Sequence, residues 1–233
     1  MRRRVLLSSA LRYWVGGTAL TLSVPFAQGA SFTRSDANTA LRVALERGAR
    51  LAVTQLGSTD GFMSNDKIRI PLPEVLDKAA PLLRAMGRDK QLEELHVAMN
   101  HAAEKAVSMA LPLLNNAIKS MSIQDARQIL TGGEHAITDF FSTKTREPLG
   151  KQFAPLVNKA VDQLSLAQSY NELVGKAAGL GLVKQQQAFT VQQHITTRAL
   201  DGLYFVIGEE ERRIRQDPVA SGSALLKKVF SGL

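Results

Sequence analysis

Apolar residues recur at intervals of three and four along most of this chain, the spacing that gathers them on one face of an α-helix. Behind Ser35, a helix-capping residue type, Ala37, Leu41, Ala44, Leu45, Gly48, Leu51, Ala52 and Leu56 form such a stripe, and Gly57 closes it. A second helix is expected from Pro73 or Glu74 to Met86, stopped by Gly87. A third, from near Asp89, carries Leu92, Leu95, Val97, Met99, Ala102, Ala103 and Ala106. Pro112 should interrupt or kink the path onward to Met121. Ser122 with Asp125 three residues on makes a capping-box-like start for a short helix ending at Thr131-Gly132-Gly133. Helical spacing resumes over 134–143, over 147–164 with Pro148 and Pro155 as breaks, and over 166–178. The longest run, from about Thr190 to Gln216, stops at Asp217-Pro218, and a short helix is expected around Ser223 to Phe230. Stretches of period two are almost absent, so the expected fold class is all-α, a compact multi-helix bundle.

The exception is the segment from Ser58 to Pro73. Asp60-Gly61 signals a turn, Lys67-Ile68-Arg69-Ile70 alternates, and Pro71-Leu72-Pro73 forbids a helix. Phe62, Met63, Ile68, Ile70 and Leu72 make it more apolar than a solvated linker. Irregular connections of this length are uncommon in compact domains and often carry function. The segment is expected either to cross the helices as an ordered strap or to offer a short extended arm to a partner, with Asp60, Asn65, Lys67 and Arg69 setting orientation.

The first 29 residues read as an export signal. Arg2, Arg3, Arg4 and Arg12 make a basic leader, Tyr13 to Phe26 an uncharged and mostly apolar run, and Ala27-Gln28-Gly29 a cut site before Ala30. Arg3-Arg4-Val5-Leu6-Leu7-Ser8 also resembles a twin-arginine motif. A periplasmic location is expected, with 30–233 forming one helical domain. The four leader arginines account for half of the net charge of +8, which leaves a mild +4 on the remainder. That is not the concentrated basic footprint of a nucleic-acid binder, and 6% aromatic residues supply few stacking platforms. With no cysteine there is no disulfide framework and no thiolate nucleophile. No fixed-period repeat and no low-complexity stretch is present.

Four stretches, GSTDGFMSNDKIRIPLP from Gly57 to Pro73, MNHAAEK from Met99 to Lys105, ARQILTGG from Ala126 to Gly133 and ALDGLYFVIGEEERRIRQDP from Ala199 to Pro218, resemble an uncharacterised family of exported bacterial proteins, domain-of-unknown-function family 4197. The likeness runs in order over residues 35–231 and departs at His101, where the family pattern has Arg. It implies a small helical periplasmic domain and carries over no catalytic residue, because the family has none assigned.

The chemistry therefore rests on the residues. His96 and His101, five apart, sit on diverging helix faces; His101 and Glu104, three apart, could share a ligand, but without a second histidine pair no metal site and no cofactor is expected. Thr131-Gly132-Gly133 lacks the Lys-Ser/Thr of a phosphate loop, and no Gly-x-Ser-x-Gly elbow occurs. On the long C-terminal helix His194, Arg198, Asp201 and Glu209 recur near one side, against a stripe of Leu200, Leu203, Ile207 and Ile214. Asp201 is expected either to pair with Arg198 or to line a ligand cavity. Glu209 with Arg213 and Glu211 with Arg215 should form a solvated, ion-paired helix end, and the acidic triplet could hold a cation only if Asp60 or Asp66 approached it. The leading expectation is a non-enzymatic periplasmic protein binding a partner or a small apolar ligand. The alternatives are an envelope hydrolase built on His101, His194 and Asp201, and peripheral membrane attachment through Lys227, Lys228, Leu225, Leu226, Val229 and Phe230.

Overall fold

Two capping boxes start helices where the sequence places them. The Asp125 amide donates to Ser122 Oγ at 3.0 Å while Ser122 N–H donates back to the Asp125 carboxylate at 2.9 Å, and Thr190 with Gln193 makes the same exchange. In the computed structural model of the protein, the described residues are 34–163, 165–179, 181 and 190–217. Among them run eight α-helices: α1 (Arg34–Leu56), α2 (Glu74–Ala85), α3 (Asp89–Val107), α4 (Leu111–Lys119), α5 (Ile123–Thr131), α6 (Ala136–Gln163), α7 (Leu166–Gly179) and α8 (Val191–Gln216). No strand occurs among the described residues. The all-α expectation holds. The leader and the short helix expected at 223–230 lie outside the described residues.

The long helices α6 and α8 pack along each other with α3 against both. α1 crosses α4 and α8, while α7 lies on α2 and α3. One buried apolar cluster joins all eight helices, from Leu41 on α1 through Met99 on α3 and Phe153 on α6 to Leu203 on α8. Each such side chain contributes on the order of 1.5–3 kcal/mol by leaving water. Arg42 on α1 donates to the carbonyls of Ile118, Lys119 and Met121, so a cation meets the negative C-terminal end of α4. Gly87, at φ 75°, turns the chain from α2 to α3 as the sequence suggests.

Two expectations need correction. Pro148 and Pro155 do not break the chain, since both lie inside one continuous α6. They are seven residues apart and remove the helical partners of the Lys144 and Lys151 carbonyls, both of which belong to exposed residues. The fourfold spacing of Phe141, Thr145, Leu149, Phe153 and Val157 meanwhile buries a full face against the core, which outweighs a proline penalty of about 3 kcal/mol each. The path is interrupted ahead of Pro112, as expected: α3 ends at Val107 and α4 begins at Leu111, with Pro112 in its first turn, where the missing N–H is not needed. Leu51 is not in the core but 46% exposed, because the buried line of α1 passes through Leu45, Ala49, Ala52, Val53 and Leu56.

Candidate functional site

Residues 57–73 cross α3 and α8 as an ordered strap, with Phe62, Ile68 and Ile70 buried. A stretch without helix or sheet must find other partners for its backbone, and two helices supply them. Asn100, completely buried on α3, accepts from Ile70 N–H at 2.9 Å and donates to the Ile70 carbonyl at 3.1 Å. Its amide replaces the neighbouring strand that this extended segment lacks. A further bond from Asn100 to the His96 carbonyl fixes the side chain. On the other flank Phe62 lies on Gly202 of α8 so closely that a Cβ there would stand 2.6 Å from the ring. The lack of a side chain at Gly202 thus lets the ring reach the core.

Polar contacts hold the outer edge. Asn65 accepts from Lys67 N–H through its side chain and from Ile68 and Arg69 N–H through its carbonyl, which closes the turn. Arg69 donates to the Met63 carbonyl and pairs with Asp66. Lys67 reaches α8, 5.7 Å above the exposed Phe205 ring and 4.0 Å from Glu209. His194, at the start of α8, donates through Nε2 to the Pro71 carbonyl at 2.8 Å. Burial holds its pKa below the ordinary histidine value against that hydrogen bond, and the positive charge of Arg198 lowers it further.

At the N-terminal end of the strap Asp60 takes the left-handed conformation, φ 59°, which Asp tolerates better than most residues. Its carboxylate meets His101 Nε2 of α3 at 3.1 Å. One turn on, Glu104 accepts from Phe62 N–H at 3.2 Å. Glu104 is only 6% exposed, and burial pushes its carboxyl up, opposed by the Phe62 bond and by His101. One ligand-competent atom each from Asp60, His101 and Glu104 lies within 4.8 Å of the others.

The strap thus unites Asp60, Asn65, Lys67, Arg69 and His194. Arg198 is exposed a turn from His194. Asp201 stands apart and, contrary to expectation, pairs with Arg146 of α6 at 2.9 Å rather than with Arg198. Arg146 is held for that purpose by stacking on Tyr204, 5.0 Å from its ring, whose hydroxyl bonds Thr145. The acidic triplet is also not a solvated helix end. Glu211 is fully buried, and its carboxylate accepts from Ile137 N–H, Thr138 N–H and Thr138 Oγ1, at 3.0, 2.9 and 2.9 Å, and from Arg215. It caps the first turn of α6 from the far end of α8, where an anion is favoured. Glu209 and Glu210 pair with Arg212 and Arg213, three residues on. Asp60 goes to His101 instead of this triplet.

An open groove of about 330 Å³ between α1 and α8 is lined by Ala44, Gly48 and Leu51 but rimmed by Arg47, Glu210, Arg213 and Asp217. That charged rim suits an apolar ligand poorly. No helix among the described residues is long and apolar enough to cross a membrane.

Fold and site together define an all-α domain whose distinctive element is an irregular strap clasped between two helices. A family model described as a protein of unknown function, DUF4197, matches residues 31–231, and the chain belongs to that family. No curated protein and no solved structure matches the chain.

Proposed function

We propose that the protein acts, after export, as a non-catalytic binding domain that engages a protein partner through the outer edge of the strap. The observation that carries this reading is the division of labour within residues 57–73. Phe62, Ile68 and Ile70 pin the backbone to α3 and α8, while Asp66 and Lys67 stay exposed beside Phe205, itself 38% exposed. A rigid polar edge around a partly uncovered aromatic ring resembles a binding surface in which little conformational entropy remains to be lost. The three residues named for a hydrolase each have a different partner, His101 on Asp60, His194 on the Pro71 carbonyl and Asp201 on Arg146.

A photo-crosslinking residue in place of Lys67, introduced in the native cell, tests the reading. A discrete adduct is expected at this position, absent from the same probe at Lys78 on α2 and lost when Asn100→Ala releases the strap. Equal labelling at 67 and 78, or none at either, would overturn it.

A further inference from the structure

The geometry points to a divalent transition-metal site formed by Asp60, His101 and Glu104, which would bolt the N-terminal end of the strap to α3. Two carboxylate oxygens and an imidazole nitrogen form a mixed donor set of the kind that binds zinc and its first-row neighbours, whereas magnesium and calcium prefer oxygen alone. Three protein ligands leave a fourth position for water, and the half-exposed sides of Asp60 and His101 provide the way in.

Two observations converge. The donor atoms already lie within 4.8 Å of one another. A tetrahedral ion with bonds of about 2.0–2.2 Å spaces its ligands roughly 3.4 Å apart, so closure requires shifts of about an ångström. Asp60 and His101, standing 3.1 Å apart, are partly exposed and have that freedom. Independently, Glu104 is a carboxylate more than nine-tenths buried, with no lysine or arginine in ion-pair contact among the described residues. The other two buried carboxylates among the described residues, on Glu210 and Glu211, have Arg213 and Arg215. A buried anion needs a compensating charge, and among the described residues the cation-capable group that acts on Glu104 is His101, whose imidazole can also ligate a metal. Helical spacing puts His101 and Glu104 on one face of α3, and the left-handed Asp60 brings in the third donor from the strap.

The inference stands whether or not the strap binds a partner. Untagged, EDTA-stripped protein is titrated with zinc chloride alone, with calcium and magnesium as comparisons. Wild type should take up about one zinc ion per chain, while His101→Ala should weaken zinc binding by at least roughly 100-fold. His101→Arg supplies a fixed cation to both carboxylates and should keep the circular-dichroism spectrum and melting curve of the stripped protein while binding no zinc at this site. His135→Ala should bind as wild type does. Zinc should also slow hydrogen exchange at the Phe62 amide in wild type and not in His101→Arg. Equal zinc affinity in wild type and His101→Arg, or no uptake by wild type at micromolar zinc, would overturn the assignment.

Discussion

Replacing Asn100 by Ala removes the clasp that stands in for a neighbouring strand, and the structure allows the effect to be worked out group by group. The Ile70 N–H and carbonyl both lose their partner within the interior, since Ile70 itself has no exposed surface. Each unsatisfied backbone group costs about 1–3 kcal/mol. The His96 carbonyl loses little, because the helix ladder of α3 continues to serve it. Alanine is the better helix former, by about 0.6 kcal/mol, so the net loss is about 1.5–5 kcal/mol. For a domain of this size each kcal/mol moves Tm by about 2–4 °C, which gives a fall on the order of 3–20 °C. Urea unfolding measures the loss, and hydrogen exchange locates it. The Ile70 amide, protected in the parent, should exchange rapidly, and the strap should open before the helices do. A change below about 1 kcal/mol with Ile70 still protected would refute the idea that a side-chain amide holds the strap in place.

Gly202→Ala should lower stability even though alanine suits a helix better by about 1 kcal/mol. The new methyl would meet the Phe62 ring at 2.6 Å, and overpacking of that kind costs about 1–3 kcal/mol. In a Phe62→Leu background the same substitution should be tolerated better, and a denaturation double-mutant cycle reads the difference. For pH, His194 resists protonation in the folded state because burial lowers its pKa. Its contribution is fully present above the ordinary value of about 6.5 and is lost as pH falls through the lowered folded value. His194→Gln, which can still donate to Pro71, should therefore lose less stability than wild type between about pH 7 and pH 5. An identical slope in metal-stripped samples of both proteins would contradict the assignment.

The helices were legible wherever a stripe met a start or stop signal, as at Gly57, Gly87 and the capping box of Ser122 with Asp125. α6 was not, because Pro148 and Pro155 carry strong local signals against a helix. The apolar spacing that overrides them draws its energy from α3 and α8, which local sequence does not reveal. The strap could be recognised as unusual from its mixture of apolar residues and turn formers. How it is held could not, since Asn100 and Gly202 lie 30 or more residues away. Each left a trace, a polar residue within an apolar helix face and a glycine inside a long helix, though neither trace names its partner. Asp60 is 41 residues from His101, so the cluster exists only once the strap has folded back. Glu211 misleads for another reason. Acids followed by arginines at helical spacing read as a solvated surface, and only its position opposite the open start of α6 turns it inward.

That cap also fixes an order of events. Glu211 lies 74 residues beyond Ile137, whose amide it receives. A chain that emerges N-terminus first leaves the leading amides of α6 to water until nearly all of α8 has followed. A chain cut before the last turns of α8 would thus lack the carboxylate that caps α6.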